Sequence, residues 1–240
     1  MSLKSTITQK FPALISLYHW LRMLPNRAML RLLSREAVFT RRYRQGGWQS
    51  DESVSGSGSS ERETSAIRAA LPELVRETGA RSFLDIPCGD FNWMQAIDLG
   101  IEAYIGADIV DDLVAKNRER HAALGREFRK LDLINGDLPK VDMVFCRDCL
   151  VHLSTSEVRS AIDNIIRSGS TYLLTTTFTQ REANDEILTG EWRPLNLQAA
   201  PFDFPEPVRL IDEACGEYGG RFSDKHLGLW KISDLAAALR

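Results

Sequence analysis

Four short runs hold most of the residues able to do chemistry. In the first, Phe83-Leu84-Asp85-Ile86-Pro87-Cys88-Gly89-Asp90-Phe91-Asn92-Trp93, two carboxylates flank a glycine turn. The second, Tyr104-Ile105-Gly106-Ala107-Asp108-Ile109, places another carboxylate about 20 residues further on, an interval that suits an acid accepting both hydroxyls of a nucleoside ribose. Lys130-Leu131-Asp132-Leu133 adds a fourth acid. Cys146-Arg147-Asp148-Cys149-Leu150-Val151-His152-Leu153 groups a guanidinium, a carboxylate and an imidazole. A planar guanidinium can grip an anionic group, and His or Asp within reach of a hydroxyl can remove its proton. Asp148 and His152, four residues apart, would share a face if the chain turns helical there. His152 could equally fix the loop ahead of Ser154.

Groups like these need rigid supports, and the pattern from Ser60 onward supplies them. Ser60 and Glu63 form a capping box for a helix running toward Gly79, with a kink at Pro72. Arg81–Ile86 reads as a buried strand, Asn92–Asp98 as a short helix and Ala103–Asp108 as a second strand. Val110–Leu124 is helical up to Gly125. Phe128–Leu131 and Val141–Cys146 are further strands. Ser154 and Glu157 cap a helix that ends at Gly169, and Thr171–Phe178 has the β-branched, aromatic composition of a central strand. Strands alternating with helices predict a doubly wound α/β fold with a mainly parallel seven-stranded sheet. Ligands of such sheets bind beyond the carboxyl ends of the strands, which is where all four runs fall. Residues 184–207, with Pro194, Pro201, Pro205 and Pro207 among Trp192, Phe202 and Phe204, form an irregular excursion suited to a substrate pocket. Leu227–Ile232 reads as a last strand at the sheet edge.

The 240 residues carry a net charge of −3, distributed unevenly. Residues 1–47 hold nine Lys/Arg against one acid, a net of +8, so residues 48–240 stand at −11. A basic head on an acidic body argues against a nucleic-acid binder that uses its whole surface. Pro12 and leucines at 14, 17, 21 and 24 predict one helix ended by Pro25, and Asn26 caps a second. In that second helix Arg27, Arg31, Arg35 and Arg42 share one face, opposite Met29, Leu32 and Leu33. Residues 12–42 could therefore lie on an anionic membrane, or pack on the body with the arginines in water. Residues 48–60, rich in Gly and Ser, are either a linker or a lid whose backbone approaches a ligand closely. Residues 61–240 make the main domain. No apolar run reaches the roughly 18 residues of a membrane span, and no small-residue cleavage site follows the N-terminal apolar stretch. Four cysteines in this length suit a reducing compartment, so a cytoplasmic protein is expected, with membrane association through the head if the first reading holds. Cys146-x-x-Cys149 has zinc or redox spacing. Zinc needs two further ligands, however, and neither Cys88 nor Cys215 comes in a paired motif, so no metal is expected.

The runs from Asp85 through the Asp148 region resemble the class I S-adenosylmethionine-dependent methyltransferases, over roughly residues 61–240. Pro87 and Phe91 replace two of the family's glycines and only Gly89 remains, a loss that counts against a dinucleotide pyrophosphate but not against a cofactor without phosphate. The resemblance implies S-adenosylmethionine as cofactor, with Asp85, Cys88, Gly89, Asp90 and Trp93 around its methionine end. It implies Asp108 on the ribose, Ile109 and Leu133 on the adenine faces, and Asp132 at the adenine amino group. Asp90 would receive the methionine ammonium or merely cap the Asn92 helix, and Asp132 could be a plain loop carboxylate. Arg147 would hold the cofactor carboxylate or an acidic substrate, and Asp148 or His152 would act as base. Glu52-Ser-Val-Ser-Gly-Ser-Gly-Ser, Pro87-Cys-Gly-Asp-Phe-Asn-Trp, Arg147-Asp-Cys-Leu-Val-His-Leu and Gly190-Glu-Trp-Arg-Pro-Leu-Asn-Leu are similar to one bacterial methyltransferase subgroup associated with sugar and surface-polysaccharide assembly. That likeness implies an oxygen of a small or sugar-containing acceptor as the methylated atom, with Trp192, Arg193 and Asn196 lining its site. The rivals are a methyltransferase acting on RNA or another nucleic acid, a dehydrogenase, and a non-catalytic membrane-docked scaffold.

Overall fold

A computed structural model describes residues 27–48 and 50–239. The helix expected from Pro12 to Leu24 and the cap at Asn26 lie outside them. The strands β1 (Ser82–Asp85), β2 (Ala103–Asp108), β3 (Arg126–Lys130), β4 (Met143–Cys146), β5 (Tyr172–Phe178), β6 (Arg209–Asp212) and β7 (Lys225–Lys231) form one sheet ordered β3-β2-β1-β4-β5-β7-β6. β1 to β5 run parallel, and β7 lies antiparallel to both β5 and β6. The helices are α1 (Arg35–Arg44), α2 (Ser65–Thr78), α3 (Asp111–His121), α4 (Thr155–Arg167), α5 (Glu217–Gly220) and α6 (Ile232–Ala238).

The inner strands are apolar on both faces because each face is covered. Side chains alternate across the sheet, so Leu84, Val144 and Leu173 join the core under α4 and α6. Their neighbours Phe83, Met143, Phe145 and Leu174 join the core under α2. The order reverses between β1 and β4, which leaves a crevice at their carboxyl ends. Ser154 caps α4, accepting from Glu157 N–H at 3.3 Å. Ser60 accepts from Glu63 N–H at 3.3 Å in a turn ahead of α2, whose N-cap position is Thr64, so the expected Ser60 cap does not form. In neither does the glutamate complete the box. Glu63 instead accepts from the Gly216 N–H at 2.9 Å, and Glu157 accepts from Arg35 at 2.5 Å.

Two expectations for the sheet and its loops need correction. The strand expected at the edge, here β7, lies inside the sheet, and β6 is the edge. β6 escaped notice because only Ile211 of its four residues is buried, which leaves no alternating pattern to read. The expected Asn92–Asp98 helix is a single 3₁₀ turn at Met94–Ala96.

The head also departs from expectation. Residues 27–32 are helical, and the helix breaks before Ser34, whose hydroxyl accepts from Ala37 N–H and starts α1 anew. The arginine face turns inward onto the acidic body rather than toward water. Arg27 meets Glu191 at 3.1 Å, Arg35 meets Asp132 at 2.6 Å and Glu157 at 2.5 Å, and Arg42 donates to the Gly190 carbonyl at 2.7 Å. Of that face only Arg31 is exposed, while Leu32 on the opposite side is 86% exposed. Among the described residues no helix is long and apolar enough to cross a membrane.

Val38 is the buried residue of α1, and it packs against Gly190, where φ is +97°. A Cβ on Gly190 would come within 2.5 Å of Val38 Cγ1 and 3.1 Å of Leu30. Gly190→Ala should therefore cost about 1–3 kcal/mol, concentrated at the head contact. Limited proteolysis within residues 27–48 should accelerate more than global unfolding does. Equal protection of the head in both proteins would show that the contact does not hold it.

Candidate active site

The turn after β1 is built on backbone bonds. Cys88 N–H donates to Ala107 O at 2.8 Å, Gly89 adopts φ +55°, and Asn117 holds the Gly89 carbonyl at 2.7 Å. Asp108, at the end of β2, accepts from Gly89 N–H at 3.3 Å and Val110 N–H at 2.9 Å. Burial pushes its carboxyl up to about 6, although the amides of Val110, Gly89 and Ile109 favour the anion. Asp85 goes further, to about 7. Burial is the main cause, the Tyr104 hydroxyl opposes it, the Asp108 charge adds to it and Arg147 counters it. The Cys88 thiol is raised well above its usual range by burial and by both acids, so it is not a nucleophile.

Asp90 neither caps a helix nor stands free. Its carboxylate accepts from Ser53 Oγ at 2.9 and 3.0 Å, from Val54 N–H at 2.9 Å and from Ser55 Oγ at 3.4 Å. It thereby latches the Gly/Ser segment over Gly89, where a Cβ would overlap Ser55 Oγ. Arg147 donates to Gly58 O at 2.9 Å, Glu52 accepts from Glu61 N–H at 2.7 Å, and Ser57 bonds Glu217. The segment is thus a wall of the cleft pinned at several points, not a slack linker.

Arg147 is buried and occupied. It donates through Nε and Nη2 to Glu213 Oε2 at 3.2 and 2.8 Å, and its guanidinium lies 5.7 Å from the Trp93 ring centroid. Lys225 Nζ sits 2.7 Å from Asp148 and 3.2 Å from Glu213. Glu213 and Lys225 went unnoticed in the sequence, and Glu213 takes the role of anionic partner to Arg147 that was expected of a ligand. Burial disfavours both cations, but Glu213 and Asp148 outweigh it and keep Arg147 and Lys225 charged. Burial alone would raise Asp148; Lys225 and Arg147 hold it down to about 2, so it stays ionised and is a poor base.

The helical geometry expected to align Asp148 with His152 does not form. Asp148 takes φ +52°, its N–H donates to Thr176 Oγ1 at 2.9 Å, and Leu150–His152 make one 3₁₀ turn. His152 Nδ1 lies 2.9 Å from Glu191 O. A carbonyl can only accept, so Nδ1 carries the proton and Nε2 keeps its lone pair. Burial lowers the His152 pKa although the Glu191 carbonyl and Asp148 raise it, while Arg42 and Lys225 lower it further. The ring is neutral at pH 7.

These groups surround a cavity of about 1050 Å³, which Asp85, Cys88, Gly89, Asp90, Trp93, Asp108, Ile109, Asp132, Leu133, Arg147, Asp148 and His152 all line. Asp132 accepts from Arg35 at 3.2 and 2.6 Å and from Ile134 N–H at 3.0 Å, so the head fixes it. Trp192, 43% exposed, forms an aromatic wall with Phe222 and Phe178, at centroid distances of 5.0 and 6.1 Å. Arg193 and Asn196 do not line the cavity, which corrects their expected role. Both are buried under the loop and satisfy backbone carbonyls there. Arg193 donates to Leu153 O at 2.7 Å and Asn196 to Arg181 O at 2.8 Å. Among the described residues no grouping of His, Cys, Asp and Glu could hold a metal ion.

No family model and no curated protein matches the sequence. Solved structures do. The methyltransferase domain of bacterial CtHen1-C aligns with TM-score 0.53 at 14% identity, over 70% of this chain and 98% of that one. N-methyltransferase NodS from Bradyrhizobium japonicum WM9, in complex with S-adenosyl-L-homocysteine, aligns with TM-score 0.50 at 14% identity, over 71% and 85%. Human N-acetylserotonin methyltransferase in complex with SAM aligns with TM-score 0.53 at 12% identity, over 83% of this chain and 60% of its own. The fold is that of the class I methyltransferases.

Asp85 yields a stability test. Its carboxyl rises from an ordinary 3.8 to about 7 on folding, so the folded state binds more protons between those values. The contribution of Asp85 to stability therefore falls as pH rises from about 4 to 7 and levels off above. Asp85→Asn should match the parent near pH 4 and be about 2–4 kcal/mol more stable at pH 8. Denaturant titrations at both pH values check this, and equal stability gaps would refute the burial cost.

Proposed function

We propose that the chain is an S-adenosylmethionine-dependent methyltransferase acting on a hydroxyl of a small or sugar-containing acceptor. The observation that carries this is the Asp108 carboxylate at the end of β2, braced by the Gly89 amide beside a turn with a single glycine. The residues present fit that cofactor. At the Gly89 turn the lining carboxylates are Asp85, Asp90 and Asp108, which suit a cationic, hydroxyl-bearing nucleoside at that end of the cleft better than a diphosphate. Asp108 would hold the ribose hydroxyls, and Ile109 and Leu133 would flank the adenine. When bound, the cofactor supplies an already activated methyl group, which leaves orientation and proton removal to the protein.

His152 is the base this reading selects. It is neutral at pH 7 and its Nδ1 proton is fixed on Glu191 O, so Nε2 can take the proton of the acceptor hydroxyl. Asp148 remains an anion that stabilises the imidazolium formed. The Trp192–Phe178–Phe222 wall offers aromatic faces to the body of the acceptor.

Asp108→Ala should weaken adenosylhomocysteine binding by calorimetry about 10- to 100-fold, the loss of hydrogen bonds to a charged acceptor. Adenosylmethionine should raise the melting temperature and NADH should not. Unchanged affinity in Asp108→Ala would remove the central assignment.

His152→Gln should lower kcat about 10²- to 10⁴-fold and leave adenosylhomocysteine affinity intact. With saturating cofactor, the parent's rate should fall as pH drops through a value below the ordinary histidine pKa of 6.5, and the variant should lose this limb. Cofactor KM should rise separately below about pH 6, as Asp108 is protonated. An acid limb in kcat that survives in His152→Gln would assign the base elsewhere.

A further inference from the structure

Three arginines of the head, Arg27, Arg35 and Arg44, each meet a carboxylate of the body. Arg42 forms no ion pair among the described residues, although it lines the same cavity as His152. Its Nη2 donates to Gly190 O at 2.7 Å, and its guanidinium lies 5.5 Å from the centroid of the Trp48 ring. Trp48 stacks on Phe39 at 6.0 Å and lies 5.6 Å from the His152 ring. Gly47 makes room for this arrangement: its N–H donates to Arg42 O at 2.9 Å, and a Cβ there would overlap Arg42 Cδ. A glycine, an indole and a backbone carbonyl thus hold one cation in place, and most of its five N–H donors are left over.

A fixed guanidinium without a carboxylate, set beside a base in a cavity, is equipped to receive an oxyanion bidentately. We infer that Arg42 anchors an oxyanion, a phosphate or a carboxylate, carried by the acceptor next to its reacting hydroxyl. The inference rests on the reading of the cavity as a methyl-transfer site and narrows its substrates to anionic hydroxyl compounds. It also gives the head a part in recognition. Burial is the main cause that lowers the His152 pKa, and Arg42 and Lys225 add to it against Asp148, so an anion seated on Arg42 offsets one of the two cations that lower it further. The acceptor then makes the base stronger as it binds.

The test follows the His152 ring by NMR in the full chain with adenosylhomocysteine present. Sodium phosphate and sodium acetate are titrated separately against sodium chloride at equal ionic strength. A saturable rise in the His152 pKa is expected. A response to phosphate alone marks a phosphorylated acceptor, and a response to acetate alone marks a carboxylate. Arg42→Gln should weaken the apparent anion affinity about tenfold or more, and Arg42→Lys, which keeps the charge and loses the planar fork, should fall between. Arg44→Gln removes equal charge from the same helix and should respond like the parent. No saturable response to either anion, or an undiminished response in Arg42→Gln, overturns the inference. Calorimetry with adenosylhomocysteine on the same samples separates the two proposals. Binding heat without an anion response removes the anchor alone, and an anion response without binding heat removes the cofactor reading.

Discussion

Arg147 holds its positive charge where almost no water reaches it, and the cleft is organised around neutralising that charge. Glu213, 2% exposed, supplies the opposing charge, and Lys225 and Asp148 complete a group of two cations and two anions. Taking such charges out of water costs several kcal/mol each, and the cost is offset only while every partner stays in place. Four separate stretches of chain are thereby tied to one point: the Gly58 loop, the end of β4, the residue after β6, and the start of β7. β6 is hard to justify by burial, with one inward residue, but it delivers Glu213. Glu213 Oε1 has no hydrogen-bond partner among the described residues, so the group is not fully satisfied even at rest.

Much of this molecule could be read along the chain, for reasons that are local. β2 has the predicted bounds because five of its six residues are buried and a helix starts three residues after its end. Asp85 and Asp108 fall at strand ends because α/β alternation places strand ends by counting, and His152 follows in the loop after β4. Glu213 and Lys225 left no local trace. Each is an ordinary charged residue whose partner lies 66 or 77 positions away. Asp90 shows the same limit: beside a local bond from Asn92 N–H at 3.4 Å, its other partners are 35 to 37 residues upstream. Arg193 and Asn196 failed differently. Their polarity in an aromatic loop suggested contact with a ligand, whereas the backbone of the excursion runs below the surface and required those side chains itself.

The head does not simply bury its apolar stripe: Val38 is buried and Phe39 packs on the core, but most of the arginine face is turned inward as well and Leu32 is left exposed. Amphipathic reasoning buries the apolar stripe because the neighbouring surface is usually apolar. Here the neighbouring surface carries Glu191, Asp132, Glu157 and Asp112, and charge complementarity selected the arginine face as well. The uneven charge was plain in the composition. What it implied was attraction between the two halves rather than separate employment for each.

One side of the cavity is contributed by residues 35–59, which precede the first strand and belong to no part of the sheet. The opposite side, with Asp85, Gly89 and Asp108, is built by strand ends and the turns after them, which the fold cannot alter without losing its core. One wall of the cavity and the sheet beneath it therefore come from different stretches of the chain, while Trp192 and Phe222 add a further wall from downstream. Changes in the upstream stretch would reshape that wall, and changes at Arg35, Ser53 or Gly58 would also reach the residues they bond, Asp132, Asp90 and Arg147.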